Sequence, residues 1–226
     1  MTSPAGIAAI AWDVDGTLID SEPLHLRALI ATCDAHGVDI SDLAADAFVG
    51  VSLPGVWEAI GERYPRSLDR NSWIAEINGH YRALCGSIAV DGRVRGLVER
   101  LGRAGLRQVA VSNSNRAVVD ANLALLGLAD LLDFSLSLDD VAAGKPDPEP
   151  YRAAAERLGI PPRRMAAIED SPSGLASARA AGCFAVGLCG DPGRLAGTGA
   201  DAVVARLDDI PALLDRRREI GAAGGQ

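Results

Sequence analysis

The sequence has few cysteines, and no two of them stand at the C-x-x-C spacing of a metal-binding or redox motif. The four cysteines, Cys33, Cys85, Cys183 and Cys189, lie among apolar neighbours. That setting favours buried free thiols over disulfides or metal ligands. Because disulfides are rare in reducing compartments, we expect the protein to function in the cytoplasm.

The sequence also lacks long apolar runs and an excess of positive charge. No apolar run reaches the roughly 18 residues that a membrane helix needs, and residues 1–6 carry neither the basic start nor the apolar run of an export signal. Lys and Arg number 22 against 30 Asp and Glu, a formal net charge of −8. We therefore expect neither a membrane nor a nucleic acid as a partner.

The chain does show, from residue 90 onward, an alternation of short apolar segments and helical patterns. Strands are predicted over 6–12, 107–112, 132–138, 164–169, 183–188 and 201–205. Helices are predicted over 116–126, 149–158, 173–181 and 210–218. Strands that are apolar throughout and alternate with helices are typical of a parallel sheet covered on both faces. We therefore predict an α/β fold.

The stretch between the first strand and the rest of the sheet has a different pattern. It contains no clear strand, and helices are predicted over 23–36, 43–48, 53–63 and 72–84. Helical inserts of this kind form caps over the carboxyl ends of the strands, where open α/β sheets bind ligands. We predict a core domain of residues 1–20 and 90–226 and a helical cap domain of residues 21–89.

Polar residues cluster where the predicted strands end. They are Asp13 and Asp15 after the first strand, Ser112 and Asn113 after the second, Glu169 and Asp170 after the fourth, and Lys145 in a loop before a helix. Because the carboxyl ends of parallel strands meet at the same edge of a sheet, we expect these groups to converge.

The composition of this set indicates phosphoryl transfer. Carboxylates without a histidine or cysteine suit a hard cation such as Mg²⁺. Lys145 and Ser112 supply a positive charge and a donor for a phosphoryl group, and Gly16 lets the backbone turn so that amides face an anion. Taken alone, each piece has an ordinary interpretation: a turn for Asp13 to Gly16, a surface lysine, a helix N-cap at Asp170 or Ser171. Their joint order favours a site.

The same residues resemble the four motifs of the haloacid dehalogenase superfamily. These motifs are D-V-D-G-T at 13–17, Ser112 at a strand end, Lys145 in G-K-P-D-P, and E-D-S at 169–171. D-S-E-P-L-H at 20–25 and the segment around 168–182 resemble its β-phosphoglucomutase-like and phosphoglycolate phosphatase-like branch. The resemblance covers roughly residues 6 to 215 and implies a Rossmann-like parallel sheet with an inserted α-helical cap.

The resemblance also implies catalytic roles for both aspartates of the first motif. Asp13 would attack phosphorus and become an aspartyl-phosphate. Asp15 would protonate the leaving oxygen and then activate water. Asp15 must carry a proton when substrate binds, and we expect the crowd of like charges to favour that state.

The remaining site residues follow from the same resemblance. Mg²⁺ would be held by Asp13, the backbone carbonyl of Asp15 and Asp170, with Glu169 close by. Ser112 and Lys145 would bind the phosphoryl group. Residues expected to contact substrate are Gly16, Thr17, Asn113, His25 and Ser52.

Phosphatases and sugar-phosphate mutases share these motifs, and the cap region separates them. Thr17 ends the first motif as in the phosphatases, whereas β-phosphoglucomutases usually have valine there. Gly50-Val51-Ser52 resembles a mutase cap loop, but Leu53 follows where the mutases have an arginine for a second phosphate. We therefore predict a phosphatase acting on a small phosphorylated metabolite, a sugar or sugar-acid phosphate, as a monomer. A mutase is the alternative, followed by a non-catalytic binding module.

Overall fold

A single six-stranded sheet organises the structure, a computed structural model that describes residues 6–44, 47–48 and 51–223. All strands are parallel, in the order β3-β2-β1-β4-β5-β6. The strands are β1 Ala9–Trp12, β2 Arg107–Val111, β3 Phe134–Leu136, β4 Met165–Glu169, β5 Phe184–Leu188 and β6 Ala202–Val204. Each one lies inside a predicted range, so the prediction of a parallel α/β sheet is confirmed.

Eight α-helices flank or extend from this sheet in the described part of the chain. They are α1 Glu22–His36, α2 Leu53–Ile60, α3 Arg70–Cys85, α4 Gly92–Arg103, α5 Arg116–Leu125, α6 Glu149–Leu158, α7 Pro172–Ala181 and α8 Ile210–Ala223. Short 3-10 helices lie at Gly61–Arg63, Leu138–Asp140, Pro162–Arg164, Pro192–Leu195 and Leu207–Asp209.

The structure differs from the predicted helices in two places. It contains α4, which the sequence analysis does not predict, although the side chains of Val94, Leu97, Val98 and Leu101 are buried along one face at helical spacing. The helix predicted over 43–48 falls partly on residues 45 and 46, which lie outside the described residues, and the described residues of that stretch form bends and turns rather than a helix.

The sheet is buried on both faces because its strand residues alternate between two apolar clusters. In β1, Ile10 and Trp12 pack on the face covered by α4, α5 and α8, whereas Ala9 and Ala11 face α6 and α7. A third cluster holds α1, α2 and α3 together around Trp73 and includes Val118 of α5. The division into core and cap at residues 20, 21, 89 and 90 stays a prediction.

The strand order places β1 at the centre, between β2 and β4. The chain runs from β1 toward β2 and β3 on one side and then returns to β4 on the other. In open α/β sheets the crevice at such a switch in direction, outside the carboxyl ends of the strands, is where ligands bind. Within the described residues, none of the helices combines the length and apolar character that crossing a bilayer requires.

Candidate active site

Asp13 lies at the centre of the switch point, directly after β1. Its backbone N–H donates to the Ile168 carbonyl at 3.0 Å, which continues the ladder between β1 and β4 by one residue. The side chain is buried, and its Oδ1 accepts from Lys145 Nζ at 2.6 Å. The sheet therefore fixes the position of this carboxylate, and the lysine fixes its orientation.

Lys145 is the chain's single lysine, and every other basic side chain apart from histidine is an arginine. Its ammonium group is buried and donates to Asp13 Oδ1 at 2.6 Å and to the Val111 carbonyl at 2.8 Å, and it lies 2.6 Å from Glu169 Oε1. A compact ammonium with three donors suits such a pocket, whereas a planar guanidinium does not. Burial lowers the pKa of Lys145, but the charges of Asp13 and Glu169 outweigh it and raise the pKa.

The loop that carries Lys145 is held by Asn113 at the end of β2. The Asn113 side chain accepts from the Lys145 backbone N–H at 2.8 Å and donates to the Lys145 carbonyl at 3.0 Å. Asn113 is expected from the sequence to contact substrate. In the structure its amide holds the Lys145 backbone, and its contact with substrate stays a prediction.

Glu169, the last residue of β4, is fully buried and has a donor at each oxygen. Oε1 accepts from the Tyr151 hydroxyl and faces Lys145, and Oε2 accepts from Ser171 Oγ at 3.4 Å. Gly174 makes room for this carboxylate, because a Cβ there would lie 1.8 Å from Oε2. Glu169 thus acts as a buried counter-charge that helps to orient Lys145.

Three carboxylates converge beside Lys145. Oxygens of Asp13, Glu169 and Asp170 lie within 4.8 Å of one another. Three carboxylates against one ammonium leave a formal excess of two negative charges. Asp13 Oδ2 is buried and has no hydrogen-bond partner among the residues that the structure describes. Burial and the neighbouring Glu169 charge raise the pKa of Asp13, while burial and the Asp13 charge raise the pKa of Asp170 to about 6. An oxygen-only set with an unpartnered buried atom fits a hard divalent cation.

Gly16 allows Asp170 to approach this cluster. Its φ of +84° lies in the left-handed region that favours glycine, and a Cβ at this position would lie 2.2 Å from Asp170 Oδ2. Thr17 is buried next to it and donates from Oγ1 to Asp170 Oδ1 over a long 3.5 Å. Both residues, expected to contact substrate, therefore lie against the acidic cluster.

Asp15 has surroundings of another kind. Its Oδ1 accepts from Ser21 Oγ at 2.6 Å and from Asn122 Nδ2 at 3.0 Å, with His25 Nε2 at 3.6 Å. Its Oδ2 accepts from Ser112 Oγ at 3.1 Å and from Ser114 Oγ at 2.8 Å. The carboxylate is thus hydrogen-bonded at both oxygens.

These donors contradict the expectation that crowding by like charge keeps Asp15 protonated. Burial raises the pKa of Asp15, but the interaction with His25 and the hydrogen bonds of Ser21 and Ser114 outweigh it and lower the pKa to about 2. The expectation is wrong for Asp15 because hydroxyl and amide donors face it. Crowding by carboxylates acts on Asp13 and Asp170 instead.

The other two residues expected to contact substrate lie in α1 and at the start of α2. His25 belongs to α1, and its ring lies 4.6 Å from the ring of Tyr81 in α3 while its Nε2 faces Asp15. Ser52 is the N-cap of α2 and accepts from the Gly55 N–H at 3.4 Å. Its observed contact is therefore structural, and the substrate roles of both residues stay predictions.

Four further residues shape the site and are not predicted from the sequence: Ser21, Ser114, Asn122 and Tyr151. Asn122 carried a usable signal, because it is a polar residue on the face of α5 that otherwise buries Val118, Val119 and Leu123. The hydroxyl of Tyr151 carried none, since an aromatic residue at a buried helix position is ordinary core.

Comparisons with known proteins agree with this geometry. A family model of haloacid dehalogenase-like hydrolases matches residues 7–182. A plasmid-encoded phosphoglycolate phosphatase of Cupriavidus necator is 33% identical over 225 residues, covering 95% of this chain and 96% of that protein. Fructose-1-phosphate phosphatase YqaB of Escherichia coli is 32% identical over 180 residues, covering 79% and 95%.

A solved structure gives the same result. The crystal structure of a CbbY mutant from Rhodobacter sphaeroides in complex with xylulose-1,5-bisphosphate superposes with a TM-score of 0.79 at 28% identity, covering 89% of this chain and 95% of that one. The superposition covers most of both chains, so the two proteins share the fold. The chain thus belongs to the haloacid dehalogenase-like hydrolases, in the branch that contains the phosphoglycolate phosphatases.

Proposed function

We propose that this enzyme hydrolyses the phosphate monoester of a small metabolite, a sugar or sugar-acid phosphate, with Mg²⁺ and through an aspartyl-phosphate on Asp13. The observation that carries the proposal is the state of the Asp13 carboxylate. Oδ1 is tied to Lys145, whereas Oδ2 is buried and has no partner within the described residues. A buried, unpartnered carboxylate oxygen is costly and is retained where chemistry uses it.

In the first step an oxygen of Asp13 forms a bond to phosphorus while the bond from phosphorus to the ester oxygen breaks. Asp15 is ionised in the free protein, so it must take up a proton as the substrate binds. It then gives this proton to the leaving alkoxide, and a neutral alcohol departs. In the second step water attacks the phosphorus of the aspartyl-phosphate and gives its proton to Asp15. Inorganic phosphate leaves and the carboxylate of Asp13 is restored.

The hydrogen bonds around Asp15 support an assignment of the oxygen that would carry the proton in the complex with substrate. Oδ1 faces the Asn122 amide N–H, which only donates, so this oxygen stays an acceptor. Oδ2 faces the hydroxyls of Ser112 and Ser114, which rotate and accept as well as donate. We assign the proton to Oδ2, beside the phosphoryl-binding Ser112.

Asp13, Asp170 and the backbone carbonyl of Asp15 would hold Mg²⁺, with Glu169 close by. When bound, the ion offsets the excess of negative charge and polarises a phosphoryl oxygen. Lys145 orients Asp13 and favours its ionised form against burial and Glu169, and it adds a second positive charge for the phosphoryl group. Ser112 donates to a phosphoryl oxygen.

The substrate class is supported by the relatives, two of which are phosphatases of small phosphorylated metabolites and one of which binds a sugar bisphosphate. The buried free cysteines support a reducing compartment, which we propose is the cytoplasm. We propose a monomer, which size-exclusion chromatography with light scattering tests.

The test is phosphate release from p-nitrophenyl phosphate with Mg²⁺ by the wild type, Asp13→Asn and Asp130→Asn. Asp130 is exposed and serves as the matched control. We expect activity in the wild type and the control and none in Asp13→Asn. Activity that survives Asp13→Asn means that the nucleophile is another group.

The substrate itself is found by ranking phosphorylated metabolites by kcat/KM with Mg²⁺. A sugar or sugar-acid monophosphate at the top of that ranking supports the proposal. Conversion of β-glucose 1-phosphate to glucose 6-phosphate, without net release of phosphate, contradicts it in favour of a mutase.

A further inference from the structure

A buried hydrogen-bond path runs from the cap helix α3 to Asp15. The Tyr81 hydroxyl donates to Asn122 Oδ1 at 2.8 Å, and Asn122 Nδ2 donates to Asp15 Oδ1 at 3.0 Å. Tyr81 and Asn122 are both almost fully buried. One side chain, the amide of Asn122 in α5, therefore contacts the cap with its oxygen and the proposed acid/base with its nitrogen.

The carboxylate fixes the direction of this path. An amide whose oxygen faced Asp15 would place two acceptors against each other, so the Asn122 nitrogen must point at Asp15. Its oxygen then points at Tyr81, which makes the Tyr81 hydroxyl the donor. Consecutive buried hydrogen bonds that all point in the same direction polarise and strengthen one another. The path is thus specified from end to end.

The path crosses the packing between α3 and α5. Asn115 Nδ2 donates to Asn78 Oδ1 at 2.9 Å one turn away, and Cys85 Sγ lies 3.8 Å from the Ala121 carbonyl on the other side. Val118 of α5 belongs to the same apolar cluster as the cap helices. The position of α3 therefore determines whether Tyr81 can reach Asn122.

Asp15 Oδ1 has two other neighbours, and neither restrains it in the same way. Ser21 Oγ is close, but its hydroxyl rotates and accepts as readily as it donates. His25 Nε2 is 3.6 Å away on a part-exposed side chain. The Asn122 amide is buried and held at its other end, so its restraint on Oδ1 is the stiffest.

We propose that Asn122 is a positioning residue that holds Asp15 Oδ1 and so presents Oδ2 to Ser112, and that Tyr81 makes this hold depend on the docking of α3. The inference rests on the proposed phosphatase activity, because it assigns how that activity's acid/base is aimed. Asn122 acts through Asp15 and has no role in bond making.

The test exploits the leaving group. General acid catalysis matters most for a poor leaving group, such as the alkoxide of glycerol 2-phosphate, and least for p-nitrophenolate. We expect Asn122→Leu to lower kcat/KM by about tenfold for glycerol 2-phosphate and by less than about threefold for p-nitrophenyl phosphate. Both losses are smaller than the loss expected on removing a general acid altogether, because Asp15 itself is still present.

A second variant guards against loss of the fold. Asn122→Leu alone takes from the buried Tyr81 hydroxyl the acceptor at 2.8 Å, which is costly, and Tyr81→Phe removes that hydroxyl as well. The double variant Tyr81→Phe with Asn122→Leu should therefore melt above Asn122→Leu alone, although it still lacks the hydrogen bond to Asp15. We expect it to keep the same leaving-group-dependent loss, because Asp15 still lacks its amide donor.

Asn78→Ala is the matched control, since it removes another hydrogen bond between α3 and α5 that does not reach Asp15. We expect it to change kcat/KM for both substrates by the same factor. Equal losses for both substrates in the double variant overturn the inference, as does wild-type behaviour. A wild type inactive on both substrates instead refutes the proposed function, so the two failures are distinguishable.

Discussion

Asp13 and Asp15 are separated by one residue, yet the groups that face them differ in kind. Asp13 lies among charges, with Lys145 at 2.6 Å and with Glu169 and Asp170 in the same cluster. One of its own oxygens is buried and has no partner in the described part of the chain. Asp15 lies among hydroxyls and an amide from three separate elements. One carboxylate sits in an excess of negative charge, and the other is held by hydrogen bonds.

The difference teaches that position at a strand end does not determine what a carboxylate does. The pKa of Asp13 is raised by burial and by Glu169, whereas the pKa of Asp15 is lowered to about 2 by His25 and its hydrogen-bond donors despite burial. We call Asp13, Lys145, Glu169 and Asp170 the Asp13 side of the site, and added positive charge stabilises it. The Asp15 side consists of Asp15 and its hydrogen-bond donors, which already satisfy both carboxylate oxygens.

The largest expected effect on stability comes from removing the ammonium group of Lys145. Lys145→Met leaves buried carboxylates without their ion pair, and breaking such a pair typically costs about 3–5 kcal/mol of unfolding free energy. Urea denaturation of the metal-free protein measures this loss. Lys145→Arg keeps the charge but not the compact shape, so we expect it to recover only part of the stability.

A loss below about 1 kcal/mol in Lys145→Met, the range of exposed ion pairs, would remove the distinction between the two sides.

Metal binding should come next in size and should act on the Asp13 side alone. A ligand present at 100 times its Kd stabilises the folded state by about 2.7 kcal/mol, so saturating Mg²⁺ should raise the melting temperature clearly. Asp170→Asn should abolish most of that rise, and the exposed Asp130→Asn should retain it. Differential scanning calorimetry with Mg²⁺ and with chelator gives the values. An equal rise in all three proteins places the ion elsewhere.

We expect a smaller loss of stability on removing a neutral hydrogen-bond donor from the charged cluster. Tyr151→Phe removes the hydroxyl that donates to Glu169, and hydrogen bonds to charged groups are worth about 1.5–3 kcal/mol. Tyr64→Phe is the control of the same chemistry, because its hydroxyl pairs with the Cys33 thiol at 3.1 Å rather than with a carboxylate. Chemical denaturation should show the larger loss in Tyr151→Phe. Equal losses would mean that Glu169 does not depend on Tyr151.

Much of the Asp13 side could be predicted from the sequence, because each of its members follows a strand or a short loop. The apolar runs place Asp13, Ser112 and Glu169 at one edge, and parallel pairing brings them together. A single lysine in a chain that otherwise uses arginine was an additional signal at Lys145.

The Asp15 side could not be predicted in the same way. Ser21, Asn122 and Tyr81 come from the start of α1 and from two helices, and which way their side chains point depends on how those helices pack. The direction of the Asp15 pKa shift depends on these donors, so the sequence led to the opposite expectation. Helix α4 was missed for a different reason, since Gly92, Gly96 and Gly102 weaken its helical propensity.

The sign of each carboxylate's contribution to stability follows from its pKa. The pKa of Asp13 is raised, so its ionised form costs stability above the unfolded value of 3.8. The pKa of Asp15 is lowered, so its ionised form adds stability above 3.8 that is lost as the pH falls through about 2. At pH 7.5 the two carboxylates therefore act in opposite directions on the metal-free protein.

The most direct test of this account is the melting temperature of the wild type, Asp13→Asn and Asp15→Asn at pH 7.5, with chelator and then with Mg²⁺. A change of about 1 kcal/mol in the free energy of unfolding shifts the melting temperature by about 2–4 °C in a chain of this size. With chelator, Asp13→Asn should melt a few degrees higher than the wild type and Asp15→Asn a few degrees lower. Mg²⁺ should then stabilise the wild type and Asp15→Asn but not Asp13→Asn. Shifts of the same sign in both variants, or an unchanged Mg²⁺ response in Asp13→Asn, would contradict the division of the site into a charged side and a hydrogen-bonded side.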